Sequence, residues 1–156
     1  MADTTYTRCL NLLAEYRTKG LRYEYVRGVY LPAGELPMSA FRGPDVGGDA
    51  CHMRLWELSA PEEQRKGRKG IPIKKSRRYY TGHDGVQYNI ITYTLDVPLE
   101  LVDKLIDFEV PRLRTEELEQ YGYTHESYQD DADGSDKPGW SVRLVKLKNR
   151  QLSMVA

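Results

Sequence analysis

Two knots of positive charge are the residues best equipped for chemistry in this chain. Arg65, Lys66, Arg68 and Lys69 make the first, and Lys74, Lys75, Arg77 and Arg78 the second. Tyr79 and Tyr80 follow directly, with His83 just beyond. Cations at this density neutralise phosphate oxygens, so they suggest salt-dependent, largely sequence-independent attraction to a nucleic-acid backbone. The plainer reading of such a run is a solvated face, or charges that guard the edge of a strand. From Cys51 to Tyr80 there are nine Lys/Arg against three Asp/Glu, whereas from Leu95 to Asp136 there are three against thirteen. A formal net charge of zero therefore hides two poles, which bears on partners rather than on fold. The acidic pole is most simply a solubilising surface. It also suits a dock for a basic host protein across 96–136, a cover for the basic face, or a mimic of nucleic acid. Pairing of acidic and basic faces between neighbouring copies would give a homodimer.

Catalysis finds little footing. His52, His83 and His125 have no partners at metal-ligand spacing, and Cys51 and His52 are too close in sequence to chelate easily from one helix. Asp130, Asp131 and Asp133 open like a calcium loop, but the glycine and the later glutamate are misplaced. There is no phosphate loop, nucleophile elbow or dinucleotide fingerprint. Glu116, Glu117 and Glu119 read as charges favoured by a helix N-terminus. The expectation is a protein that is not an enzyme and needs no cofactor or metal; the enzymatic alternative is a site assembled from scattered residues. Two cysteines, Cys9 and Cys51, give no disulfide framework and fit a reducing compartment. The start MADTTYTR lacks a basic-then-apolar signal segment, and no apolar run approaches the roughly 20 residues that span a bilayer. The expected location is cytoplasmic, with no membrane partner.

The elements that must position these residues follow from periodicity and punctuation. Thr5 to Gly20 predicts an amphipathic helix capped by Thr4 or Thr5, with Cys9, Leu10, Leu12, Leu13 and Tyr16 as its apolar stripe. Leu21 to Tyr30 reads as an irregular strand broken at Gly28. Glu35 to Phe41 predicts a short helix, and Gly43, Pro44, Gly47 and Gly48 a loop. Asp49 to Leu58 predicts the next helix, capped by Asp49. It would bury Cys51, Leu55 and Leu58 and turn His52, Met53, Trp56 and Glu57 away. Ser59-Ala60-Pro61-Glu62 has the capping-box pattern. Ile71 to Tyr79 and Val86 to Leu95 predict two strands joined by the loop Thr81-Gly82-His83-Asp84-Gly85, a cationic hairpin. Asp96 is expected to cap a helix through PLELVDKLIDF, with Leu99, Val102, Leu105, Ile106 and Phe108 on its apolar side, ended by Pro111. Thr115 is expected to cap a short helix, 124–138 to form a mobile acidic loop, and Trp140 to Leu147 a strand that closes a hairpin with QLSMVA.

This order resembles the winged helix-turn-helix domains of small bacteriophage and bacterial DNA-binding proteins. The matching residues are Arg54-Leu55-Trp56-Glu57-Leu58 at the end of a helix, Gly70-Ile71-Pro72-Ile73 entering the wing, and Tyr93-Thr94-Leu95 closing it. The resemblance covers about residues 5–95 and rests mainly on 47–95. An insertion, SAPEEQRKGRK, stands where many members turn in two or three residues. The resemblance implies an α+β fold: a winged helix-turn-helix domain over 1–95, with 96–156 as an acidic helical segment, loop and C-terminal hairpin packed on it. It also implies binding to double-stranded DNA, as a transcription regulator or accessory binder. The helix near Asp49 would enter the major groove, with Asp49, His52, Met53 and Trp56 facing base edges. None of these makes the arginine-to-guanine or asparagine-to-adenine pair that most often reads sequence, so the phosphate contacts of the two knots, Tyr80 and His83 would dominate. The alternative is the same fold used as a phage-encoded inhibitor or adaptor of a host protein.

Overall fold

The computed structural model describes residues 4–59, 70–106, 118–130 and 139–147. Among them are three α-helices and small antiparallel sheets, a mixed α+β architecture. In chain order these are α1 (Thr5–Lys19), β1 (Glu24–Val26), β2 (Val29–Tyr30) and β3 (Leu36–Pro37). A 3-10 turn (Met38–Phe41), α2 (Cys51–Ser59), β4 (Ile73–Thr81), β5 (Gln87–Leu95), α3 (Leu99–Ile106), β6 (Tyr123–Asp130) and β7 (Gly139–Lys146) complete the order. The first knot, Arg65, Lys66, Arg68 and Lys69, lies outside the described residues. So do Ala60, Pro61 and Glu62 of the expected second cap, Pro111, Thr115 and the closing segment QLSMVA; Ser59 itself ends α2, its hydroxyl donating to the Leu55 carbonyl at 3.0 Å.

α1 starts as its threonines dictate. The Thr4 hydroxyl accepts from the Thr7 backbone N–H at 3.2 Å, and the Thr7 hydroxyl accepts from that of Thr4 at 2.9 Å, a reciprocal box that satisfies two orphan donors. Gly20 ends the helix at φ 61°, and its N–H donates to the Tyr16 carbonyl. Cys9, Leu10, Leu13 and Ala14 face the core; Leu12 and Tyr16 are half-buried at its margin. α2 packs against α1 through Cys51, Leu55 and Leu58, the stripe its spacing predicts.

The junction of these helices is tight. A Cβ at Gly47 would stand 2.7 Å from Cys51 Cβ, 2.9 Å from the Phe41 carbonyl oxygen and 3.0 Å from Cys9 Sγ. Burial, helped by the neighbouring Cys51, pushes the Cys9 thiol up to about 11, so it packs as a small neutral hydrophobe. Gly47→Ala is expected to cost about 1–3 kcal/mol through overpacking. The measurement is the denaturation midpoint, and an unshifted midpoint would mean that the junction yields freely.

The sheet is ordered β3-β5-β4, all antiparallel. β4 and β5 pair in unbroken register from Ile73↔Leu95 to Thr81↔Gln87. Strand periodicity therefore sends Ile73, Lys75, Arg77 and Tyr79 to one face, with Leu95, Tyr93, Ile91 and Asn89. Lys74, Ser76, Arg78 and Tyr80 go to the other, with Thr94, Thr92, Ile90 and Tyr88. On the first face Leu95 is fully buried and Tyr93 meets Phe41 edge-on. The second is covered by the segment carrying β1, β2 and Glu35, which explains why Ile90 and Thr92 are buried.

Several boundaries differ from the sequence reading. Gly28 does not break one strand; at φ 79° it turns β1 back onto β2. Leu36 and Pro37 pair with Tyr93 and Thr92 as a strand before the 3-10 turn begins, so the expected helix at 35–41 is shorter. α2 begins at Cys51, not Asp49: the Ala50 carbonyl already accepts from the Met53 and Arg54 N–H groups, which leaves Asp49 one residue outside the cap position. Asp96 does not cap α3: the helix begins only at Leu99, and the Asp96 N–H instead extends the sheet by donating to the Pro72 carbonyl. Leu99 stands exposed at the first position of α3, while Leu101 and Val102 turn to the core. Residues 124–130 are not loop but β6, which pairs with β7 from Tyr123↔Lys146 to Asp130↔Gly139. Arg143 on β7 pairs with Glu126 on β6 and lies over the Tyr128 ring, the cross-strand attraction that composition alone did not suggest.

Candidate nucleic-acid interface

α2 presents His52, Met53 and Trp56 away from its buried stripe, with Asp49 in the turn just before the helix. All four are exposed, Met53 at 42% and Trp56 at 44%. Their side chains are aromatic, apolar or anionic, and none offers the forked donors that read guanine. Arg54 does carry such a fork, but it faces α1. Its Nη1 donates to the Tyr6 hydroxyl at 2.8 Å, its Nη2 stands 3.1 Å from Glu57 Oε1, and its guanidinium lies over the Tyr6 ring. The Tyr6 hydroxyl donates to Glu57 as well. Glu57, expected to point away from the core, is buried, because this partnership satisfies its charge. The Arg-Leu-x-Glu-Leu signature is therefore a helix-to-helix brace.

The second basic knot is divided by strand periodicity. Lys74 and Arg78 share one face of β4; Lys75 and Arg77 share the other. The four were expected as one cluster, and the two-residue repeat of a strand prevents it. Arg78 is further committed to Glu35. Its Nε donates to Oε1 at 2.9 Å and its Nη2 to Oε2 at 2.5 Å, a two-point grip, and the Thr92 hydroxyl donates to Oε1 at 2.5 Å. Burial pushes the Glu35 carboxyl up, but the hydrogen bonds from Arg78 and Thr92 and the charges of Arg78 and Lys74 outweigh it and hold it below the ordinary glutamate value. Part of the positive charge on this face is therefore internally neutralised.

The hairpin tip is built around Asp84. Its carboxylate accepts from the Val86 N–H and from the Tyr88 hydroxyl, each at 3.0 Å, and these bonds hold it below the usual carboxylate range. Gly82 donates to the Val86 carbonyl at 2.9 Å, and Gly85 takes φ 78°. His83 is exposed at this tip and Tyr79 is 56% exposed. Tyr80 is half-buried, stacked on Tyr88 with centroids 5.1 Å apart and planes at 16°, and met edge-on by Tyr25 at 5.8 Å.

Tyr25 belongs to a part of the surface not singled out from the sequence. The β1–β2 hairpin brings Tyr25 against Tyr80 of β4, and on the same hairpin Arg22 sits 5.8 Å above the Tyr30 ring. The alternation of arginine and tyrosine in RYEYVRGVY was the available signal; it went unread because the stretch looked like one defective strand. Among the described residues no three His, Cys, Asp or Glu side chains gather as a metal site would require; His125 lies on β6. No described helix is long and apolar enough to cross a membrane.

These residues define a small α+β protein that presents a helix and two hairpins to solvent. Comparison of the chain with protein-family models, with characterised proteins and with solved structures gives no match.

Proposed function

We propose that this chain is a small DNA-binding protein of the winged helix-turn-helix kind, acting as a transcription regulator or accessory binder without catalysis. The observation that carries this reading is the order of elements once the β1–β2 hairpin inserted after α1 is set aside: α1, β3, the 3-10 turn, α2, then the β4–β5 hairpin, with β5 between β3 and β4. A helix-turn-helix followed by a wing requires this succession. Lys74 and Arg77 mark the two faces of that hairpin, so phosphate attraction supplies most of the affinity. The deciding experiment is a salt-dependent titration of duplex DNA. Lys74→Glu and Arg77→Glu are expected to weaken binding, each lowering the log–log salt slope by about 0.9 for a lost contact. Absence of duplex binding at low ionic strength overturns the reading.

A second reading is favoured by Met53 and Trp56, which put exposed apolar area where a base-reading helix would carry donors. Under it the fold docks a host protein, through α2 or the acidic span 96–136. A complex that survives nuclease and is lost on Trp56→Ala supports this reading; one that disappears with nuclease removes it.

A further inference from the structure

The strongest unused feature is the cluster of tyrosine rings where the β1–β2 and β4–β5 hairpins meet. We propose that this face binds unpaired nucleotides, so that the protein takes single-stranded nucleic acid through its hairpins; the inference rests on the nucleic-acid reading above and names the strand state it prefers. Tyr80 and Tyr88 form an open stack, nearly parallel at 5.1 Å, and Tyr25 braces it edge-on. The stack is held before any ligand arrives. Asp84 fixes the Tyr88 hydroxyl at 3.0 Å, and a Cβ on Gly82 would come within 2.9 Å of the Tyr88 ring, so the backbone itself lies against it. Tyr88 nevertheless keeps 40% of its surface exposed.

Charge near the stack is close to balanced. Lys74 and Arg78 share the face of Tyr80 and Tyr88, and Arg22 and Arg27 lie on the β1–β2 hairpin, against Glu24, Glu35 and Asp84; Lys75 and Arg77 are on the opposite face of β4. Each of those carboxylates is engaged within the fold. Glu24 accepts from the Tyr30 hydroxyl at 2.9 Å and the Gly28 N–H at 3.3 Å, Asp84 holds Tyr88, and Glu35 holds Arg78 and Thr92. Glu24 and Asp84 keep their charge while they orient rings and strands, so stacking rather than phosphate attraction is what this face offers. A ring held in place yet partly exposed is what an extruded base needs, and every base has a face to stack. Bases inside a duplex are already stacked and cannot reach these rings.

The test uses the full chain and three labelled probes at low salt: a 12-nucleotide DNA strand, the same strand in duplex, and an abasic strand of equal length, with an RNA strand as a further arm. The intact strand is expected to bind at least tenfold more tightly than the abasic one, since both carry the same phosphates. Tyr88→Ala is expected to lower single-strand affinity about tenfold and leave duplex affinity unchanged, whereas Tyr88→Phe keeps the ring and restores binding. Should Tyr88→Ala unfold the hairpin, the comparison of intact with abasic strands on the unchanged protein gives the answer alone. Equal affinity for intact and abasic strands, or no loss in a folded Tyr88→Ala, overturns the inference while leaving duplex binding standing. If no probe binds at all, the nucleic-acid reading itself is lost, and a nuclease-resistant protein complex would then account for the tyrosines.

Discussion

Phe41→Ala is expected to destabilise the protein by about 3–5 kcal/mol, the usual cost of removing a buried aromatic ring. Phe41 is fully buried and ends the 3-10 turn. Its ring meets Tyr93 of β5 edge-on, with centroids 6.3 Å apart and planes at 86°, and its carbonyl accepts from the Gly47 N–H at 2.9 Å. One residue thus ties the sheet to the loop that delivers α2. Native stability of a domain this size is about 5–15 kcal/mol, so the loss is a large fraction of the total. Urea denaturation should show a lower midpoint with an unchanged slope. Duplex binding should weaken at temperatures where the native fraction falls, and recover on cooling. A shift below about 1 kcal/mol would mean that the cavity collapses without strain, and that α2 is positioned by something other than this ring.

Phe41 also illustrates what could be read from the sequence. Long periodic segments were legible: α1, α2 and the β4–β5 hairpin came from apolar spacing and β-branched runs. Short elements were not. β3 is two residues long, and nothing local in Leu36-Pro37 separates a strand from the start of a helix; pairing with Tyr93 and Thr92, far along the chain, decides it. β6 was hidden for a related reason. Tyr123 to Asp130 is polar, and its pairing with β7 includes the Arg143–Glu126 link, which one strand alone does not reveal. For the candidate interface, residue types were legible and their directions were not. Lys74, Lys75, Arg77 and Arg78 read as one cluster along the sequence, yet the strand repeat divides them. Glu57 read as a surface charge until Tyr6 and Arg54 proved to surround it. Composition names the cations; only the fold says which carboxylate each one meets.

Glu35 is where that distinction has its largest consequence, because one substitution should move stability and binding in opposite directions. Its side chain is 9% exposed and grips Arg78, whose side chain is 43% exposed. Glu35→Gln keeps the shape and an acceptor for Thr92 but removes the charge that Arg78 meets. A hydrogen bond to a charged group contributes about 1.5–3 kcal/mol. Solvent screens the half-exposed Arg78, so the expected loss is about 1–2 kcal/mol. The pH dependence follows from the depressed carboxyl of the folded state. Such a group contributes stability above its unfolded value, about 4.3, and that contribution is lost as pH falls through the lower folded value. The wild type should therefore lose this increment on the acid side of the ordinary glutamate range, and Glu35→Gln should lack it, keeping only the shallower fall that other depressed carboxyls such as Asp84 contribute. Binding should respond the other way. With the carboxylate gone, Arg78 joins Lys74 on a face that has lost its internal anion, so affinity for DNA at low salt should rise and the salt slope steepen by up to about 0.9. A variant that is less stable yet binds no better would show that Arg78 serves the hairpin alone. One that binds better without losing stability would show that Glu35 is held for restraint of the surface rather than for the fold.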